Sequence, residues 1–198
     1  MIGDKLAVIV PMKPFAQAKQ RLRPAVANGE RVVLARSMLI HVLAAVHQSG
    51  VGDLRFLIST DADVLSLASN HGFNPLVEAT AGYNDAVAQA IGEAQRQGAE
   101  TVLVLPADLP QITPDDVQDL VRLVADAGAA VVLAPDAADA GTNALLLRPP
   151  DLLPPSFGPD SFCRHLALAR GLGVEPVIHR HPHLARDVDW PSDLWLLE

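Results

Sequence analysis

A chain of 198 residues, 49% of them hydrophobic and with a net charge of −8, is long enough for one enzyme-sized domain with a full core. The acidic balance argues against a general electrostatic grip on nucleic acid or an anionic membrane, and no uninterrupted apolar stretch approaches the roughly 18 residues of a membrane span. A single cysteine, Cys163, excludes an internal disulfide.

Residues 6–10 predict the first strand, and Pro11 ends that apolar run before any small-residue cleavage site, so no secretion signal and a cytoplasmic location are expected. A helix is expected over 30–48, with Val33, Leu34, Met38, Val42, Ala45 and Val46 as its apolar stripe and Ser49-Gly50 as its stop. Residues 54–59 read as a strand, 61–71 as a short helix stopped by Gly72, and 75–77 as a short strand. Residues 84–97 carry Ala86, Val87, Ala90, Ile91 and Ala94 at helical spacing, and the β-branched run 101–105 predicts a buried parallel strand. Thr113-Pro114-Asp115-Asp116 starts a helix that runs to about Ala127: a Thr cap, a first-turn proline, and acids at the positive end.

Strands are expected over 130–134 and 143–147, joined by the loop 135–142 in an antiparallel pair, which makes the sheet mixed but mostly parallel. The proline-rich stretch 149–159 reads as a rim over a site, 161–172 as a helix with Cys163 as a buried, inert thiol, and 174–179 as a strand. Alternating strand and helix periods define an α/β fold: one domain over 1–198, a three-layer sandwich of Rossmann-like type. The apolar tail with Trp190, Leu194, Trp195, Leu196 and Leu197 suits either the core or a partner subunit, so a homodimer stays open.

Chemistry is expected beyond the strand carboxyl ends, where ligands of open α/β sheets gather. After the first strand, Pro11-Met12-Lys13-Pro14 leads into Lys19-Gln20-Arg21, and no acid lies between Met12 and Pro24. Without glycines, this loop matches neither phosphate-binding fingerprint and relies on Lys13, Lys19 and Arg21 as cations. Leu105-Pro106-Ala107-Asp108-Leu109-Pro110 bends just after the strand and aims Asp108, which either meets a ligand or merely caps a turn. Asp187 and Asp189 share one face of Asp187-Val188-Asp189, and with Asp108 they form an oxygen-only set suited to Mg²⁺, whereas Asp193 reads as a helix start.

Gly141-Thr142-Asn143 and Phe157-Gly158-Pro159-Asp160-Ser161 each set a hydroxyl beside a glycine, where free amides hold a carboxylate or phosphate. Gly82-Tyr83-Asn84 suits a base edge or ribose, with Asn84 as a helix cap the alternative. His179, His181 and His183 alternate; lacking a cysteine or nearby carboxylate, they read as a polar edge rather than a zinc site. Ser59-Thr60-Asp61 lacks a base for a nucleophilic serine and reads as a cap.

Val10-Pro11-Met12-Lys13-Pro14 with Ala18-Lys19-Gln20-Arg21-Leu22, Gly82-Tyr83-Asn84, the run from Leu103 to Pro110, Gly141-Thr142-Asn143-Ala144-Leu145, Phe157-Gly158 with Ser161-Phe162 and His165, and Asp187-Val188-Asp189, in this order, resemble the guanylyltransferase family of coenzyme F-420 biosynthesis, of nucleotide-diphospho-sugar transferase-like fold. The resemblance implies transfer of GMP from GTP to the phosphate of a three-carbon phospho-acid with release of pyrophosphate. It implies Pro11, Lys13, Lys19, Gly82, Asn84 and Asp108 at the nucleotide, with Lys13, Lys19 and Arg21 as the catalytic cations. It further implies Thr142, Gly158 and Ser161 at the acceptor, and Mg²⁺ on Asp108, Asp187 and Asp189. Phosphoenolpyruvate, 2-phospho-L-lactate and 3-phospho-D-glycerate all stay open, because the loop 135–140 lacks the arginine and extra glycine more usual there. An acceptor phosphate is already a nucleophile at neutral pH, so such chemistry needs positioning and charge neutralisation but no general base. The alternatives are another nucleotidyltransferase of this fold, cytidylyl or molybdopterin type, and a non-catalytic nucleotide-binding domain.

Overall fold

The computed structural model describes residues 5–124 and 128–197. Four strands lie on one side of the sheet: β1 (Leu6–Pro11), β2 (Leu54–Ser59), β3 (Asn74–Val77) and β4 (Thr101–Val104). Three complete it: β5 (Ala130–Pro135), β6 (Thr142–Arg148) and β7 (Val177–Ile178). Their order is β3-β2-β1-β4-β6-β5-β7, and only β6 runs antiparallel to its neighbours. β1 and β4 are buried along their whole length, as near-continuous apolar strands covered on both faces must be.

Helices α1 (Asn28–Ser49) and α4 (Pro114–Arg122) cover one face, where Leu39, Val42, Leu43, Val117 and Leu120 meet Val8, Val10, Leu57, Leu103 and Leu146. Helices α3 (Tyr83–Arg96) and α5 (Ser161–Gly171) cover the other, packing Val87, Ala90, Phe162 and Ala169 on Ile9, Phe56, Val104, Leu133 and Leu145. The three-layer α/β architecture is therefore that expected from the alternation of periods. By length and composition alone, α1 would pass for a membrane span; here its apolar stripe is buried on the sheet.

Several local expectations change. α1 starts at Asn28, earlier than residue 30, because the Glu30 carboxylate accepts from the Ala27 amide (3.1 Å). Val33, expected in the stripe, is 68% exposed; the buried row runs through Arg31, Ala35, Met38, Leu39 and Val42, from which Val33 is rotated away. The segment 61–71 is not one helix. It divides into α2 (Ala62–Leu65), whose cap is the Asp61 carboxylate accepting from Asp63 N, and a 3-10 turn (Ser69–His71) closed by Gly72 at φ 71°. α4 ends at Arg122, with Leu123 and Val124 in a turn, so it stops short of the expected run to about Ala127, a residue outside the described ones. β7 is shorter than 174–179, an edge strand that Pro176 cannot extend as a donor. Cys163 is exposed, not buried: the inward side of α5 is Ser161, Phe162, His165 and Ala169.

Candidate active site

β1, β2 and β4 run parallel, so their carboxyl ends share one edge of the sheet. β6 runs the other way and brings its beginning, Thr142-Asn143, to the same edge. After β4 the chain alternates about the rim: Leu105, Ala107 and Leu109 are buried, while Asp108 projects half-exposed into a cleft of about 690 Å³. That volume is typical of a small-molecule site. Its walls include Lys13, Lys19, Arg21, Thr142, Gly158, Ser161, Asp187 and Asp189. A second cleft of about 550 Å³ adjoins it, sharing Pro11, Lys13 and Tyr83 and extending past Gly82.

Asp108, Asp187 and Asp189 each offer a carboxylate oxygen within 4.8 Å of the others. Val188 between the last two is fully buried with Leu22, Met38 and Leu196, and that anchor turns both flanking carboxylates outward. The Asp193 carboxylate accepts from the Asp189 and Trp190 amides (3.0 and 2.7 Å), which fixes the backbone of Asp189 and begins the final 3-10 turn. Burial, together with the neighbouring Asp108 and Asp189 charges, pushes the Asp187 carboxyl up to about 6. The donor set is all oxygen and anionic, which fits a hard divalent cation such as Mg²⁺.

Lys19 stands in the left-handed region (φ 52°) between two short 3-10 turns, Phe15–Gln17 and Gln20–Leu22, with Phe15 and Leu22 buried on either side. This geometry drives its side chain inward, to 6% exposure, against Asp108 and onto Asp189 Oδ1 (3.2 Å). Burial lowers the Lys19 pKa, yet the two carboxylates outweigh it and hold the ammonium above its ordinary value. Arg31, buried in α1, steadies the turn by donating to Asn28 Oδ1 (2.7 Å) and the Lys19 carbonyl (3.5 Å). Arg21 donates to Asp189 Oδ2 (2.6 Å) and lies over the Trp190 ring at 5.1 Å. Lys13 is exposed at the junction of the two clefts.

In the same cleft, Thr142 and Ser161 are buried, and Gly158 has φ 115°, a conformation that favours glycine. Thr142 Oγ1 is 3.0 Å from His165 Nδ1, and the other ring nitrogen, Nε2, accepts from the Ser156 amide (3.1 Å). In the neutral ring that bond leaves the proton on Nδ1, so His165 donates to Thr142 and frees the hydroxyl hydrogen. Burial, with Arg164 nearby, pushes His165 down to about 4, so the ring is neutral at pH 7. The loop before β6 is held by Asp136, whose carboxylate accepts from the amides of Ala138, Ala140 and Gly141 (3.1, 2.8 and 2.7 Å).

Of the residues expected from sequence, the cleft collects Pro11, Lys13, Lys19, Arg21, Asp108, Thr142, Gly158, Ser161, Asp187 and Asp189, while Gly82 lines the adjoining one. Asn84 does not line either. Its Oδ1 accepts from Phe157 N (2.7 Å) and its Nδ2 donates to Phe157 O (3.1 Å), so both ends of the amide clamp the proline-rich rim. His165 enters the sequence reading only among the residues of the resemblance, with no role, and the supporting role of Asp136 is not expected from sequence. A buried histidine inside a helix has no sequence signal of its own, and an aspartate opening a loop reads only as a turn residue.

A Rossmann-like sheet whose carboxyl edge gathers three carboxylates, a lysine and a cleft of small-molecule size is an arrangement suited to nucleotidyl transfer, and the relatives make the chain a nucleotidyltransferase. A nucleotidyl transferase from Methanothermobacter thermautotroptrophicus shares the fold, with a TM-score of 0.65 at 15% identity over 98% of this chain and 95% of that one. The family model described as "Guanylyl transferase CofC like" matches residues 6–197, and the chain belongs to that family. The phosphoenolpyruvate guanylyltransferase of Sphaerobacter thermophilus is 42% identical, over 94% of this chain and 89% of the relative. The 3-phospho-D-glycerate guanylyltransferase of Colwellia psychrerythraea is 29% identical, over 96% and 90% respectively.

Proposed function

We propose that the protein transfers GMP from GTP to the phosphate of a three-carbon phospho-acid, with phosphoenolpyruvate the foremost acceptor, releases pyrophosphate, and requires Mg²⁺. The observation that carries this reading is that one cleft is lined by both sets of groups: the Asp108, Asp187 and Asp189 carboxylates with Lys19, and Thr142, Gly158 and Ser161. The acceptor follows the relatives more than 30% identical over nearly the whole chain, named phosphoenolpyruvate guanylyltransferases.

Asp108, Asp187 and Asp189 would hold the Mg²⁺, which supplies neutralisation of phosphate charge when bound. Lys19 is poised between these carboxylates and an incoming phosphate. Lys13 and Arg21 would draw charge toward the pyrophosphate as the bond to the α-phosphorus breaks. Thr142, its hydroxyl aimed by His165, and Ser161 would orient the acceptor so that a phosphate oxygen attacks that phosphorus in line. No side chain needs to remove a proton. The placement of one such domain across the chain, with the coenzyme F-420 context implied by the resemblance, belongs to the same reading.

The test is a matrix of four nucleoside triphosphates against phosphoenolpyruvate, 2-phospho-L-lactate and 3-phospho-D-glycerate, read by pyrophosphate release and product mass. GTP with phosphoenolpyruvate should give the largest signal, dependent on added Mg²⁺ and abolished by Asp108→Asn with the fold intact by circular dichroism. Pyrophosphate release from none of the pairs would favour a non-catalytic nucleotide-binding domain, and a dominant CTP signal would favour a cytidylyl enzyme.

A further inference from the structure

A second cluster of ligating atoms lies outside the cleft, on residues that line neither pocket. Asp116, in the first turn of α4 and only 4% exposed, faces His181 and His183 from the loop after β7. Asp116 Oδ2 accepts from Thr113 N (2.7 Å) and Thr113 Oγ1 (2.8 Å), and His183 Nδ1 stands 2.9 Å from it. His181 Nδ1 faces the other oxygen, Oδ1, at 3.1 Å; that nitrogen is buried and makes no hydrogen bond. One atom from each of the three side chains lies within 4.8 Å of the other two. No cysteine or nearby carboxylate accompanies the histidines in the sequence; the fold supplies a carboxylate from residue 116, 65 or more positions away in the chain.

We propose that Asp116, His181 and His183 form a second metal site, selective for a borderline divalent cation such as Zn²⁺ rather than for Mg²⁺. Two imidazole nitrogens and one carboxylate oxygen are the donors such ions take, whereas Mg²⁺ prefers oxygen alone. A nitrogen of each histidine already stands beside the carboxylate, His183 Nδ1 at 2.9 Å from Oδ2 and His181 Nδ1 at 3.1 Å from Oδ1, so small side-chain shifts would bring one atom from each residue around a common ion. A hydrogen-bond network alone leaves His181 unexplained, since its ring approaches a carboxylate oxygen without the alignment of a donor. Thr113 supplies the outer support that ligating carboxylates need, holding Asp116 by backbone and hydroxyl together. Pro182 bends the chain between the histidines so that their rings meet edge to face (4.9 Å, 81°) and both turn to one carboxylate.

The ion would clamp the chain from His181 onward to the start of α4. That stretch is otherwise tied down by Leu184 O, which accepts from Asn143 Nδ2 (2.9 Å), and Ala185 O, which accepts from Ala137 N (2.8 Å). His183 precedes Asp187 by four residues, so occupancy would stiffen the strand of chain presenting Asp187 and Asp189 to the cleft.

The experiment uses tag-free protein with millimolar Mg²⁺ to fill all-oxygen sites. Zn²⁺ titration calorimetry should show one equivalent bound, and Cu²⁺ substitution should give an electron paramagnetic resonance spectrum with coupling to two imidazole nitrogens. The double variant His181→Gln/His183→Gln should lose that coupling and bind Zn²⁺ on the order of 100-fold more weakly; Asp116→Asn should weaken it by about 10-fold or more. Asp108→Asn should leave both readouts unchanged, which separates this site from the cleft. Absence of Zn²⁺ binding by the wild type, or retention of the two-nitrogen signal in the double variant, would overturn the assignment, whatever the outcome of the transfer assay.

Discussion

Asp187→Asn should make the metal-free protein more stable while impairing its chemistry. The folded Asp187 carboxyl sits at about 6 against an ordinary 3.8, driven first by burial and then by Asp108 and Asp189. Because the folded value is the higher one, this group favours the native state fully below about pH 4, and that contribution is lost as pH rises through 6. At about 1.4 kcal/mol per unit the cost of carrying the charge at pH 7 is roughly 3 kcal/mol; solvent in the open cleft screens part of it, leaving about 1–2 kcal/mol. The amide is close to isosteric and can still take the weak contact from Asn143 Nδ2 (3.4 Å). In a domain of this size the gain corresponds to a rise in Tm of about 2–8 °C. Thermal unfolding of both proteins in EDTA at pH 7.0 and about pH 4 tests this, with the gap expected at the first and closed at the second. Added Mg²⁺ should then stabilise the wild type more than the variant. Equal Tm values at pH 7, or a gap of the same size at both pH values, would refute the reasoning.

His165, fully buried and held at about 4 instead of 6.5, has the opposite sign: its contribution is present above pH 6.5 and lost as pH falls through 4, worth roughly 3 kcal/mol at most. His165→Phe should therefore flatten acid unfolding between pH 6.5 and 4, and raise the KM for the phospho-acid more than that for GTP by releasing Thr142. Lys19→Met removes the ammonium that shares Asp108 and Asp189, so Mg²⁺ should bind more tightly by titration while kcat falls by about 10²–10³, the scale for losing one preorganised charge donor. At Gly141 an added Cβ would lie 2.7 Å from Asp136 Oδ2, so Gly141→Ala should break the loop and lower acceptor binding at least about tenfold, with donor KM little changed; unaltered acceptor KM would show that the loop does not shape that wall.

The alternation of apolar runs was enough to read the sheet and its layers, because buried strands and amphipathic helices advertise their periods in the chain itself. The cleft residues were legible for a related reason: Asp108, Thr142 and Lys13 all follow or begin strands, and topology alone sends those places to one edge. What stayed hidden depends on contacts between distant segments. Asn84 carries the same residue type whether it touches a ligand or clamps Phe157. Asp116 looks like a capping residue, which it also is, and only the fold shows two histidines behind it. Val33 stands at near-helical spacing yet outside the buried row, which passes beside it, so residue type and approximate spacing do not separate it from the core.

The reversed strand β6 has a consequence for how such a protein can change. The carboxylates and lysines of the cleft are drawn from residues 11–21, 108 and 187–189, whereas Thr142, Gly158 and Ser161 come from one contiguous stretch of its lining, 136–161. If, as proposed, this stretch holds the acceptor, new phospho-acids could be adopted by exchanging a single segment, with the remaining lining of the pocket inherited unaltered. Diversification of substrate and retention of chemistry are, in this arrangement, separate mutational problems.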